Sequence, residues 1–164
     1  MDTTDYVVKI AEYQIAKSPN RLLARGLGSC VAITFYDPTT KIGALLHAML
    51  PYYRVDSNPQ LRMKYVDTSV EDVLEKIQLT EGVQINRLVA KIIGGSNMFG
   101  NLQKSDNLET VGFRNIQASH EKIKKYDIPI VAEDTGGEHG RTIAFFLDTG
   151  LVQVKTVNKL EKYI

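Results

Sequence analysis

The one cysteine of the chain, Cys30, follows Gly26-Leu27-Gly28-Ser29 and opens the apolar run Val31-Ala32-Ile33-Thr34-Phe35-Tyr36. Two glycines reach backbone angles closed to other residues, so this turn holds a thiol rigidly while leaving its sulfur open to a substrate. The N–H groups of Gly28, Ser29 and Cys30 are candidate oxyanion donors, preorganised for charge that develops in a transition state. A phosphate cradle would need a third glycine and a following helix, and Val31 at the head of a strand stands there instead. Only a thiolate attacks, and a free thiol is mostly protonated at neutral pH. Cys30 therefore needs a base.

His47 lies 17 residues on, the only ionisable side chain in Ile42-Gly43-Ala44-Leu45-Leu46-His47-Ala48-Met49-Leu50. By itself it reads as a core histidine satisfied by a backbone carbonyl. The turn Asp37-Pro38-Thr39-Thr40-Lys41 changes that reading, because it joins the two apolar runs as an antiparallel hairpin. With the turn near residues 38–41, residue 47 faces about residue 31, which sets the imidazole beside Cys30 to within one residue of register. Cross-strand neighbours lie about 5 Å apart at Cβ, close enough for a proton to pass. Of the other histidines, His120 belongs to a solvated helix face. His139, between glycines in Gly136-Gly137-Glu138-His139-Gly140-Arg141, is the second candidate base or a substrate or partner contact. In Gly94-Gly95-Ser96-Asn97-Met98-Phe99-Gly100, Ser96 and Asn97 could bond a substrate amide, with Met98 and Phe99 as a wall. The same run also reads as a plain turn with two apolar side chains folded back. Asp134-Thr135 reads as turn chemistry, and Arg141 as a structural salt bridge or a contact for an acidic partner.

These groups need a scaffold, and 164 residues suit a single domain, residues 1–164, with one ordinary core. Twenty lysines and arginines against 19 aspartates and glutamates argue against a protein that neutralises nucleic-acid phosphates wholesale. One cysteine excludes an intramolecular disulfide and the cysteine-rich zinc frameworks, so no metal and no cofactor is expected. No apolar run approaches the roughly 20 residues that span a bilayer, and the first residues lack a signal-peptide pattern. The expectation is a soluble cytoplasmic protein with no membrane insertion.

Val7–Ile10 and Tyr13–Ala16 read as short extended pieces, and Arg25–Ser29 as a flexible approach to the Cys30 strand. A polar loop runs from Tyr52 to Gln60. Val66, Val70, Val73, Leu74 and Ile77 then form one stripe of a 3.6-residue period, a helix stopped by Gly82. A second helix is expected from about Gly112 to Tyr126, with Ile116 and Ile123 seven apart. Leu88–Ile93, Ile128–Ala132, Thr142–Leu147 and Leu151–Val154 read as strands, and Asn158–Ile164 as a solvated end. Strands outnumber helices and do not alternate with them, which favours α+β over a doubly wound parallel sheet.

The sequence resembles the CheD family of bacterial and archaeal chemotaxis proteins. The match rests on Gly26-Leu27-Gly28-Ser29-Cys30-Val31-Ala32, His47 with Met49-Leu50-Pro51, Lys91 through Phe99, and Asp134-Thr135-Gly136-Gly137 through Gly140-Arg141. The resemblance implies a layered α/β/β sandwich of mostly antiparallel strands, with two main helices packed on one side. It implies hydrolysis of particular glutamine side chains on methyl-accepting receptors to glutamate and ammonia, with Cys30 as nucleophile, His47 as base and a CheC-type phosphatase as partner. The family's third catalytic position is a threonine six residues before the cysteine. Here it is Ala24, whose side chain accepts nothing. The main-chain carbonyl of Ala24 is then the group expected to orient the imidazole, or activity is reduced. The competing reading is a non-catalytic adaptor that binds the phosphatase or a receptor helix through the same face. A redox-sensing thiol ranks last, with no second cysteine to resolve it.

Overall fold

The computed structural model describes residues 2–55, 58–99, 109–158 and 160–164. Asp56 and Ser57 of the polar loop, Gly100 after Phe99, and Lys159 near the end lie outside the described residues. Ten strands run in chain order among the described residues: β1 Asp5–Val7, β2 Glu12–Lys17, β3 Arg21–Leu27, β4 Val31–Asp37, β5 Ile42–Ala48, β6 Val89–Gly94, β7 Ile130–Thr135, β8 Arg141–Phe146, β9 Val152–Thr156 and β10 Glu161–Tyr163. Helices α1, Val66–Glu81, and α2, Val111–Lys124, lie between β5 and β7 in sequence. None of the helices among the described residues is long and apolar enough to cross a membrane.

The strands form two five-stranded sheets. One has the order β2-β5-β4-β6-β7, the other β1-β3-β8-β9-β10. All pairs are antiparallel except β1 with β3 and β6 with β7. Two apolar clusters make three layers of this. Val31, Ile33, Ala44 and Leu46 pack with Val70, Val73, Leu74 and Ile77 of α1. Ala32 and Leu45, on the opposite face of the same strands, pack with Leu22, Ala24, Ile143 and Phe145 of the second sheet. The chain is thus an α+β sandwich of helices, middle sheet and outer sheet. Every residue of β4 and β5 is buried, because the middle sheet is covered on both faces. That is why their sequences lack the alternation of a half-exposed strand.

The α1 stripe is buried as its periodicity predicts, and Gly82 ends the helix in the left-handed region at φ 65°. Helix α2 starts at its cap Thr110, whose hydroxyl accepts from the Phe113 N–H at 3.2 Å. Two expectations are corrected. Arg25, Gly26 and Leu27 belong to β3, which carries an irregularity between Ala24 and Leu27, so the approach to Cys30 is a strand. The expected solvated end contains β10, exposed along its length and hydrogen-bonded to β9 at the sheet edge.

The β4–β5 turn is held by Asp37. Its Oδ1 accepts from the Thr39 N–H at 2.9 Å, and its Oδ2 lies 2.8 Å from the Arg87 guanidinium. Burial alone would raise this carboxyl, but the bonds from Thr39 and Thr40 and the Arg87 charge outweigh it and hold it below its ordinary range. Replacing Asp37 with alanine is expected to cost about 2–4 kcal/mol at neutral pH. That sits at the lower end for a broken buried pair because Arg87 is a third exposed. Urea unfolding of the variant and the wild type measures it. A change within about 0.5 kcal/mol would mean the turn does not need this anchor.

Candidate active site

Cys30 stands where the chain leaves the outer sheet at the end of β3 and enters the middle sheet at the start of β4. Three carbonyls of this crossing are tied down. Gly28 O accepts from Ser96 N at 2.9 Å and from Ser96 Oγ at 2.8 Å. Ser29 O accepts from Asn115 Nδ2 at 2.8 Å, and Cys30 O from Gly95 N at 2.8 Å. In a trans peptide the N–H points opposite to the C=O, so the N–H groups of Ser29 and Cys30 are turned away from Ser96 and Asn115. The Gly28 N–H, also expected as an oxyanion donor, instead donates to Gly26 O at 3.0 Å. Gly94 must be glycine here, with φ 107° and a missing Cβ that would collide with the Cys30 carbonyl.

The hairpin register is one residue off the spacing estimate. His47 pairs with Ala32, not with residue 31. The difference decides which face the ring occupies. Ala32 and Leu45 point between the sheets, so His47 does too, and Cys30 packs against that same cluster. Cys30 immediately precedes β4, one residue beyond the last β4–β5 pair, and packs into the same layer between the sheets that His47 faces. The ring is 1% exposed, and its Nδ1 lies 3.3 Å from the Val8 carbonyl. A carbonyl only accepts, so Nδ1 carries the proton and Nε2 keeps its lone pair. Nε2 is buried without a partner among the described residues.

The carbonyl on the ring is therefore that of Val8, where Ala24 was expected. Ala24 pairs with Ile143 and is fully buried between the sheets. Burial lowers the His47 pKa, while the Val8 bond and the charge of Glu12, its partner across β2, work the other way. Burial likewise pushes the Cys30 thiol up, opposed by its own backbone N–H. Both groups are thus uncharged at neutral pH.

Cys30 opens into a cavity of about 420 Å³ walled by Asn97, Met98, Phe99 and the first residues of α2. Met98 and Phe99, 53% and 68% exposed, lie at its rim. Asn97 lines the cavity, its N–H donating to Gly137 O at 2.8 Å. Ser96 is 1% exposed, and its hydroxyl is spent on Gly28 O, so it holds the loop. A second cavity of about 500 Å³ shares Gly26, Gly28 and Met98 with the first and extends to Arg141 and Lys155. Arg141 makes the structural bridge, to Asp134 at 3.1 Å and Gly136 O at 2.9 Å. The other histidines lie elsewhere. His120 pairs with Glu133 at 2.8 Å on the surface, and His139 is exposed in its glycine turn.

Two participants carried no usable sequence signal or a missed one. A backbone carbonyl such as that of Val8 has no residue type to read. Asn115 did have a signal: it shares a buried helix face with Gly112, Ala118, Ser119 and Ile123, and a polar group on such a face is the informative anomaly.

A layered α+β sandwich with a cysteine and a histidine both turned to the layer between its sheets is the framework into which the comparisons fall. The model of the family "CheD chemotactic sensory transduction" matches residues 49–156, and the chain belongs to the CheD family. A relative from Caldanaerobacter subterraneus subsp. tengcongensis is 45% identical over 96% of this chain and 96% of its own length. One from Clostridium tetani is 41% identical over 96% and 94%, and one from Pyrococcus abyssi 45% over 94% and 93%. All three carry the name "Probable chemoreceptor glutamine deamidase CheD". Among solved structures, the Bacillus licheniformis hypothetical protein YfiH is similar at TM-score 0.47 and 12% identity over 75% of this chain and 49% of that one, too distant to bear on function.

The lowered His47 pKa makes stability fall in acid. Below about 6.5 the unfolded chain takes up a proton that the folded ring resists, so the unfolded state binds more protons and stability rises with pH. Thermal melts at about pH 5 and pH 7 are expected to show a smaller difference for His47→Gln than for the wild type. Equal differences would mean the ring titrates normally in the fold.

Proposed function

We propose that this protein is a chemoreceptor glutamine deamidase using Cys30 as nucleophile and His47 as general base. The observation that carries the reading is the imidazole on the Cys30 side of the middle sheet, its Nδ1 engaged by Val8 O and its Nε2 free to accept a proton. The relatives' names supply the substrate class. With both groups uncharged at rest, the thiol proton moves to Nε2 as the sulfur attacks the glutamine carboxamide carbon. The N–H groups of Ser29 and Cys30 hold the oxyanion, while Asn97, Met98 and Phe99 wall the entering side chain. The imidazolium returns its proton to the departing nitrogen, which leaves as ammonia and a thioester remains. Water then gives up a proton to Nε2 and attacks the thioester, releasing glutamate and restoring the thiol. Each turnover replaces a neutral amide by a carboxylate on the receptor, which shifts its local electrostatics.

We assign this activity to the cytoplasm, with methyl-accepting receptors as substrates and a CheC-type phosphatase as partner. The relatives' names support the receptor substrates, and the phosphatase partner follows from the family resemblance alone. Receptor fragment incubated with the wild type is expected to gain one dalton per modified glutamine. Cys30→Ala is expected to give none, and His47→Ala a rate at least about 100-fold lower. Equal conversion by wild type and Cys30→Ala removes the thiol mechanism. Receptor that binds but never changes mass leaves the adaptor reading.

A further inference from the structure

We infer that Asn115 is a positioning residue for the deamidation, holding the peptide before the nucleophile and the strand end that carries the base in one fixed arrangement. This rests on the function proposed above. Asn115 is 0% exposed on α2, and its Nδ2 donates to Ser29 O at 2.8 Å and to Met49 O at 3.0 Å. Ser29 is the residue before Cys30, and Met49 lies two residues after His47. One side-chain amide therefore grips both arms of the hairpin at the end where the chemistry sits.

The grip falls where the ladder opens. The last β4–β5 pair is Val31 with Ala48, and beyond it the strands part. The Met49 and Leu50 N–H groups turn to Lys64 O, at 2.9 and 3.0 Å. Ser29 O and Met49 O are left facing the gap. A buried carbonyl without a donor is costly, and the two hydrogens of a single NH2 group satisfy both. Two carbonyls also fix which way the amide is turned, since the reversed amide would set oxygen against oxygen. Fixing Ser29 O fixes the plane of the Ser29–Cys30 peptide and so the direction of the Cys30 N–H. Packing against the sheet alone would be met by a small apolar residue, as Ala118 shows one turn on; what the amide adds is the pair of hydrogen bonds to the two carbonyls.

The test follows turnover of a receptor fragment by wild type, Cys30→Ala, Asn115→Ala and Asn115→Asp, each at a temperature where its melt shows it folded. Asn115→Ala is expected to lose about 100-fold in kcat with KM within about threefold, because the reacting groups are misplaced while the binding walls remain. Asn115→Asp keeps the shape but turns acceptors toward both carbonyls. Protonation gives one donor back, so its rate relative to wild type is expected to rise several-fold from about pH 8 to about pH 6. If the alanine variant does not fold, the aspartate variant decides alone. A merely structural role would lower the melting temperature while leaving kcat and the pH dependence of the folded protein at wild-type values, and that result overturns the inference. Wild type that leaves receptor mass unchanged removes the deamidase reading and this inference with it. Active wild type beside equally active Asn115 variants removes the inference alone.

Discussion

A β-strand alternates its side chains with period two, so a single residue of register decides which face of the middle sheet His47 occupies. Paired with Ala32, the ring points between the sheets, where Cys30 also lies. Paired with Val31, it would point at the helices, and the thiol would have no base. The register is held from both ends. At the turn, Asp37 gathers Thr39 and Arg87 around one buried carboxylate. At the open end, Asn115 spans the carbonyls that the parting strands leave behind. The rest of the site depends on this constraint, because every other contact orients a group that the register has already put on the correct side.

Burial sets the chemistry that follows. Desolvation opposes charge on both partners, lowering the imidazole and raising the thiol, so the resting pair holds no ion pair. A neutral imidazole is the form that accepts a proton, and a neutral thiol resists oxidation better than a thiolate. In the mechanism proposed above, proton transfer is thereby coupled to attack, when the forming oxyanion meets the N–H groups of the crossing loop. The three carbonyls of that loop are each held by a different neighbour: the residues after β6 hold two, and α2 holds the third. Rigidity at this point comes from tertiary bonds more than from the glycines that allow the turn.

The sequence carried much of this and concealed specific parts. The stripe of Val66, Val70, Val73, Leu74 and Ile77 reads directly as α1, because a helix with one covered face must repeat at 3.6 residues. The hairpin joining Cys30 to His47 reads from turn chemistry between two apolar runs. Its exact register does not, because strands buried on both faces show no alternation from which to fix parity. Leu27 in β3 and the exposed β10 were obscured for a related reason. One follows a glycine that marks a strand irregularity, and the other is a polar edge strand whose only signal is its partner. The sequence left the role of Ser96 open between a substrate contact and a turn, because a hydroxyl facing a substrate and one facing Gly28 O are written with the same letter.

The third member of the site brings these strands together. A group that orients a catalytic imidazole has to accept one hydrogen bond from the right direction and hold the tautomer. A threonine hydroxyl both donates and accepts, and it rotates. The Val8 carbonyl only accepts; Val8 is tied to the outer sheet by its own N–H bond to Leu23 O at 2.8 Å, and the N–H sharing the carbonyl's peptide, that of Lys9, donates to Glu12 Oε2 at 3.0 Å. With Ala24 contributing only a methyl to the layer between the sheets, the ring's orientation passes to a main-chain atom that neither titrates nor turns. A backbone acceptor also stays neutral when the imidazole becomes charged, so it stabilises the imidazolium less than a carboxylate would. What charge stabilisation a side chain offers comes from Glu12, across β2 from the ring. In the proposed mechanism this suits a base that is charged only in passing, which is what a cycle that lends a proton to the leaving nitrogen and takes one from water requires of it.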